Sequence, residues 1–402
     1  ITIICTYRVN FMQLRPHQKE ALAKMKLRKK GQVIVPTGGG KTMCMIEDAK
    51  RRFSQDSLPK TIVIVAPRIL LANQLSAEFL EHITDVDVIH VHSGETRHKS
   101  TTKTDQLEYW YHNSTENLLI FTTYHSLSRI SESLDIEVDT IYFDEAHNSV
   151  QKNFYSATEH FSFNAHRCYF FTATPKHSST PSKAGMNWTK TYGKVICQIP
   201  APRLVNQGYI LPPKVEVYKT RILEKDELVA DRDSEQMIDA LDNLKKNKVL
   251  ICAKSTKQIV NLVSHTKFVS ELAWRGYSYM LITSKTGAII DGEKVTREEF
   301  FDVLNAWGQD PDRRFVVLHH SILSEGMNVK GLEAVLFMRS MDYIGISQTI
   351  GRVIRKGSKD KIFGLVCIPV YSKVGISTAT KVEAVVDTIF NKGEAATTVI
   401  TR

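Results

Sequence analysis

The chain has 402 residues, too many for one ordinary hydrophobic core and suited to two domains of about 200 each. Its 42% hydrophobic and 24% charged content belongs to a globular protein and excludes a disordered or fibrous one. A net charge of +10, shared by both halves, suits a polyanionic partner, and no apolar run approaches the ~20 residues of a membrane span.

The six cysteines (Cys5, Cys44, Cys168, Cys197, Cys252, Cys367) sit in or beside apolar runs with no C-x-x-C pair. They predict reduced core thiols of an intracellular, cytoplasmic protein, neither disulfides nor zinc ligands. The apolar stretch 1–5 is too short for a signal peptide and lacks a cleavage site. Met12 is a candidate start, which would make residues 1–11 an extension.

Residues 14–18, LRPHQ, lead into a helical pattern through Ala21, Leu22 and Met25 that ends in Lys24, Lys26, Arg28, Lys29 and Lys30. Cations at that end suit the helix dipole. Next comes VIVPTGGGKT, residues 33–42: a β-branched strand that breaks at Pro36 into Gly38, Gly39 and Gly40, then Lys41 and Thr42. Consecutive glycines let backbone N–H groups turn inward around a phosphate at the positive end of the following helix. Lys41 supplies charge for the β and γ phosphates, and Thr42 a magnesium ligand.

Beyond this loop, strand signals at 61–66, 86–92, 118–122, 140–143, 168–172 and 194–199 alternate with amphipathic stretches such as 70–82 and 126–133. That alternation predicts a parallel sheet covered on both faces. The polar stretch 93–117 interrupts it and holds Tyr109, Trp110 and Tyr111, a set suited either to stacking on bases or to pinning a loop. Prolines 200, 202, 212 and 213 mark an inter-domain linker. A second alternation follows, with strands at 215–218, 248–253, 279–282, 314–319, 334–337 and 363–369. Helices are predicted at about 233–245, 257–275, 297–307 and 345–354. This half has no phosphate loop of its own. The division predicted is 1–206 and 207–402.

The strand 140–143 ends in Asp144, Glu145, Ala146 and His147. Two carboxylates at the carboxyl end of a strand beside a phosphate loop are placed to hold Mg²⁺ (Asp144) and to orient an attacking water (Glu145).

The order VPTGGGKT, DEAH, FTATP (171–175), ICAKS (251–255), LSEGMN (323–328), QTIGRVIR (348–355) resembles motifs I to VI of superfamily-2 helicases and translocases, over most of the chain. The resemblance implies two tandem RecA-like α/β domains with the ATP site in the cleft between them. It also implies an ATP- and Mg²⁺-dependent, nucleic-acid-stimulated ATPase acting as a monomeric motor. Residue roles follow from it. Gln18 would read the adenine edge; Pro67, Arg68, Thr122, Thr123 and Ser255 would hold the nucleic-acid backbone; Thr172, Thr174 and His147 would couple the ATP site to the strand. Gly326 and Asn328 would meet the ribose, although Asp is the family's usual residue at the second of these positions. Gln348 would lie near the water, and Arg352 and Arg355 would be arginine fingers. LRPHQ, DEAH and the loose SEGMN look closer to the restriction-motor and phage UvsW-like branch of DNA helicases than to DEAD-box RNA helicases. That likeness implies DNA as partner, branched replication or recombination intermediates as substrate, and a bacterial or phage-infected cell as setting. An RNA helicase and a non-translocating, ATP-switched clamp are the alternatives that the motifs leave open.

Overall fold

The computed structural model describes residues 13–401 except 56, 134, 220–223, 284, 321–330, 339–342, 357–360, 362–363 and 371–372. Gly326 and Asn328 therefore lie outside the described residues. The strands of the first half are β1 (Lys30–Ile34), β2 (Thr61–Ala66), β3 (Val86–Val91), β4 (Lys99–Ser100), β5 (Asn117–Thr123), β6 (Thr140–Phe143), β7 (Arg167–Thr172), β8 (Lys176–Ser178) and β9 (Val195–Gln198), of which the sequence predicts all but β4 and β8. All but β8 form one eight-stranded sheet in the order β4-β3-β5-β2-β6-β7-β1-β9. Every pairing in it is parallel.

Parallel pairing demands crossover helices, and these cover both faces. Along β2 the side chains alternate. Ile62, Ile64 and Ala66 pack into a cluster with Met45, Ala49 and Phe79 of the helices Lys41–Phe53 and Ile69–Leu80. Val63 and Val65 pack into another with Leu127, Ile130 and Phe161 on the opposite side.

The second half contributes β10 (Pro213–Lys219), β11 (Lys248–Cys252), β12 (Ser278–Thr283), β13 (Gly287–Ile290), β14 (Glu293–Val295), β15 (Phe315–His319), β16 (Ala334–Phe337), β17 (Gly364–Val370) and β18 (Thr398–Ile400). The first eight of these form the second sheet, ordered β10-β17-β16-β11-β15-β12-β13-β14. It is parallel except for β13 and β14, which add an antiparallel hairpin at one edge. The architecture is the expected pair of RecA-like α/β sheets.

Three details depart from the sequence reading. The polar stretch 93–117 contains β4 and the helix Thr104–His112, whose Leu107 is buried while Tyr109 is exposed. The proline-marked linker holds a short helix, Ala201–Asn206, capped by Pro200 with Pro202 in its first turn, because proline is tolerated where a helix N–H has no partner anyway. Residues 387–401 return to the first sheet's side: β18 pairs in parallel with β8, three residues past Pro175. Ile389 and Ala396 join Leu204, Ile210 and Ile354 in a buried cluster that includes residues of both sheets. No helix among the described residues is long and apolar enough to cross a membrane.

Candidate active site

β1 ends at the phosphate loop and β6 ends at Asp144, with β7 between them in the sheet. Three strand ends, carrying the loop, the carboxylates and Thr172, thus meet on the carboxyl edge, where open α/β sheets bind ligands. The loop's conformation explains its glycines. Gly38 and Gly40 have φ of 83° and 82°, a region costly to any residue with a Cβ. A Cβ on Gly40 would also stand 2.4 Å from Gln18 Nε2.

The segment 15–18 braces this loop from behind. His17 Nε2 lies 2.7 Å from Gly39 O, Gln18 Nε2 donates to Gly40 O at 3.2 Å, and Arg15 Nη1 donates to Gly38 O at 3.4 Å. Gln18 Oε1 accepts from the Arg15 N–H at 2.9 Å. Both ends of the Gln18 amide are therefore engaged within the protein, and Gln18 is 4% exposed. His17, buried and held below its ordinary pKa by that burial, is a loop support that the sequence reading quoted but gave no role.

Lys41 opens the helix Lys41–Phe53, and Thr42 follows half-buried. Lys41 Nζ pairs with Glu145 Oε1 at 3.0 Å, with side chains 11% and 6% exposed. Glu145 adopts φ 45°, a left-handed conformation that a side chain rarely takes without a constraint from its surroundings. Its Oε2 takes no hydrogen bond. Burial works to raise the Glu145 pKa, yet the charges of Lys41, His147 and Arg352 outweigh it and hold the carboxyl below its usual range. Asp144 goes the other way, pushed up to about 7 by burial and by the Glu145 charge. A pair with divided pKa values is what a site offers when one carboxylate works as a base and its neighbour awaits a cation. Tyr124, buried at the end of β5, donates to Asp144 O at 2.8 Å and fixes the turn.

His147 joins the remaining parts. Its Nε2 lies 3.4 Å from the amide nitrogens of Asn148 and Gln348. Nδ1 faces Thr172 Oγ1 at 3.0 Å and Thr174 Oγ1 at 3.3 Å, with Glu145 Oε2 at 3.6 Å. One imidazole thus touches Glu145, the end of β7 and a glutamine from the second half. Gln348 belongs to the helix Tyr343–Val353, which comes close enough that a Cβ on Gly351 would stand 2.5 Å from Thr37 Cγ2. Arg352 is 2% exposed and close enough to act on the Glu145 charge. Arg355 is half-buried, with its Cγ 3.6 Å from where a Cβ on Gly38 would be.

The residues predicted to meet nucleic acid are placed differently. Arg68 is exposed at the start of the helix Ile69–Leu80, directly after buried Pro67. Thr122 is fully buried, its hydroxyl donating to Val91 O at 2.9 Å. Thr123 is 3% exposed, with its hydroxyl toward Ser126 Oγ at 3.4 Å. Neither hydroxyl is presented at the surface, because both sit on a central strand with neighbours on each side. Ser255 Oγ caps the helix Thr256–His265 by accepting from Gln258 N at 3.2 Å.

With that geometry in hand, residues 11–177 match the protein family described as the type III restriction enzyme, res subunit. The match covers the phosphate loop, the DEAH run and the end of β7. No curated protein matches the chain. Among solved structures, it is similar to the ATP-dependent Type ISP restriction-modification enzyme LlaBIII bound to DNA, with a TM-score of 0.73 and 18% identity. It is also similar to a nuclease-deletion mutant of the Type ISP enzyme LlaGI in complex with a DNA substrate mimic, with a TM-score of 0.68 and 19% identity. A third likeness is to a fragment described as an HsdR subunit of a type I restriction enzyme from Vibrio vulnificus YJ016, at 0.63 and 13%. Each alignment covers 96% of this chain, but only 31%, 30% and 68% of the other. The chain thus spans about a third of the Type ISP enzymes, and at these identities the likeness is one of fold. The expected resemblance to restriction enzymes is borne out by the match over residues 11–177; the second sheet, beyond those residues, is shared with these structures as fold.

Proposed function

We propose that this chain is an ATP-dependent DNA translocase in which residues 1–206 bind the nucleotide and residues 207–402 complete the site. The observation that carries the reading is His147, whose ring meets Thr172 and Thr174 on one side and Gln348 on the other. A connection of that kind lets the state of the carboxylate pair be felt by both sheets, as a motor requires.

Phosphate oxygens cradled by the N–H groups at 38–42 would compete with Glu145 for the Lys41 ammonium. Binding of ATP then releases Glu145, already held ionised, to orient a water. Asp144 and Thr42 would hold Mg²⁺, an ion usually bound by one or two carboxylates together with phosphate oxygens, and it would supply neutralisation of phosphate charge there. Arg352 and Arg355, delivered by the second half, stabilise charge developing on the transferred phosphoryl, a contribution of roughly 10³–10⁵ in rate. Gln18 would meet adenine with the second hydrogen of its amide nitrogen and the second lone pair of its oxygen, the first of each being engaged by Gly40 O and the Arg15 N–H. Gly326 and Asn328 are assigned to the ribose on the resemblance alone.

On the nucleic-acid side, exposed Arg68 and half-buried Ser255 are the direct candidates, whereas Thr122 and Thr123 act by shaping the strand end beneath. Such contacts address phosphate and sugar, so binding is expected to weaken with salt and to vary little with sequence. DNA and a DNA substrate mimic bound to the two similar Type ISP enzymes support DNA over RNA. Branched DNA is the finer assignment. ATPase stimulation by duplex, single-stranded and forked DNA and by RNA, together with displacement of a third strand and fork regression, tests it. Stimulation by RNA alone would sink the DNA reading. Stimulated hydrolysis with no displacement on any substrate would make the protein a clamp.

A further inference from the structure

The helix Tyr343–Val353 carries Arg352 in its last turn, and Arg355 lies two residues past its end. Helix ends leave carbonyls without intrahelical donors, a costly state when buried. Here Val353 is 0% and Ile354 2% exposed. Three successive carbonyls nevertheless find donors. Ile354 O accepts from the Leu211 N–H at 2.8 Å. Val353 O and Arg355 O both accept from Lys361 Nζ, the latter at 3.0 Å. The same ammonium reaches Leu332 O, two residues before β16, at 2.5 Å. Gly364 at the start of β17 completes the packing: a Cβ there would stand 2.6 Å from Val353 O. An ammonium has three hydrogens, and this one faces three carbonyls.

We propose that Lys361 is a positioning residue for the arginine pair, its ammonium fixing the chain at 353–355 so that Arg355 leaves the second domain at the level of Gly38. The proposal rests on the reading of Arg352 and Arg355 as groups that stabilise the transferred phosphoryl. Lys361 touches no reacting atom and acts through Arg355, whose backbone is held on its other side by the bridge to Ile210.

Burial pushes the Lys361 ammonium down to about 8; Glu333 opposes this and Lys246 adds to it. Its charged form is therefore lost as pH rises through about 8. A neutral amine has two hydrogens for three carbonyls, so the clamp loosens at alkaline pH.

The test compares Lys361→Met, Lys361→Arg and Arg355→Ala in the whole chain. It reads DNA-stimulated kcat and KM for ATP, hydrogen exchange at the Leu211 amide, and the pH profile of kcat. A displacement of about 1 Å costs roughly 10²-fold in well-positioned catalysis, so Lys361→Met should lose roughly ten- to a hundredfold in kcat with KM little changed, and the Leu211 amide should exchange faster. Lys361→Arg should keep the neutral-pH rate and lack the wild-type fall above about pH 8. If Arg355→Ala fails and Lys361→Met turns over like wild type, the proposal is overturned. Should Arg355→Ala itself turn over normally, the finger reading is what fails. If Lys361→Met does not fold, the pH profiles decide: identical alkaline limbs in wild type and Lys361→Arg overturn the proposal.

Discussion

Both ends of the first sheet bury charge, and they do so in opposite ways. At the amino edge, Asp48 is fully buried and saturated. Arg167 donates to its two oxygens at 2.7 and 3.0 Å, Tyr142 at 2.6 Å and Arg51 at 2.5 Å. Arg167 also donates to Tyr169 Oη at 2.6 Å, and that hydroxyl faces Met25 O at 2.8 Å. At the carboxyl edge, Glu145 has one partner at 3.0 Å and an oxygen with no hydrogen bond. The same elements serve both clusters: β7 runs from Arg167 to Thr172, and the helix Lys41–Phe53 carries both Lys41 and Asp48. Six residues of strand, roughly 17 Å, separate a carboxylate paired at both oxygens from one with an oxygen that takes no hydrogen bond. Matched buried charge holds a structure in one state, while unmatched charge leaves room for a ligand.

The largest expected effect breaks the comparison at the carboxyl edge. Lys41→Ala should lower ATP turnover by roughly 10²–10³ or more while DNA affinity, measured by fluorescence anisotropy, changes little. Wild-type turnover in that variant would dismiss the loop as a phosphate site. At the amino edge the cost moves from rate to stability. Asp48→Ala leaves the buried Arg167 without its carboxylate, a loss of about 3–5 kcal/mol measurable by urea unfolding. Turnover per folded molecule should be kept, and a variant as stable as wild type would contradict the structural role given to Asp48.

A smaller effect follows from Asp139, paired with Arg52 beside the same cluster. Burial works to raise its pKa, but the hydrogen bonds from Arg52 and Thr140 prevail and hold it below the ordinary value. A carboxylate depressed on folding gives stability that is fully present above its unfolded pKa of about 3.9 and is lost as pH falls through the folded one. Asp139→Asn should therefore flatten the acid limb of stability below about pH 4, and an unchanged limb would remove the pair from the account.

Much of this was legible in the sequence, for reasons that also mark the limit. Buried parallel strands are continuous apolar runs, so β2, β5, β6 and β7 stand out, and the phosphate loop and DEAH announce themselves by residue types that few other structures need. The helix Thr104–His112 was hidden because it buries little beyond Leu107. The helix Ala201–Asn206 was hidden because its prolines occupy the cap and first turn. Thr122 and Thr123 carry family-matching letters, yet pairing of β5 on both sides encloses them. Lys361 gave no signal at all: its partners are backbone carbonyls, to which no side-chain pattern points.

The finest test removes one hydroxyl from each edge. Tyr142→Phe deletes a bond to Asp48 Oδ2, which keeps Arg167 Nη1 as donor at 2.7 Å. No acceptor is orphaned, so the loss should sit near the lower end for a bond to a charged group, about 1–1.5 kcal/mol, with DNA stimulation of the ATPase unchanged. Thr172→Val deletes the group 3.0 Å from His147 Nδ1, and Thr174 Oγ1 remains at 3.3 Å. It also removes the acceptor of the buried Thr174 N–H at 3.1 Å, so a stability loss of about 1–3 kcal/mol accompanies it. Its effect should appear as weaker DNA stimulation at unaltered basal turnover, since the hydroxyl ties the end of β7 to the imidazole and not to phosphate. If Thr172→Val left DNA stimulation intact, as Tyr142→Phe should, the two edges would be alike. The contrast between a saturated and a poised cluster would then be lost.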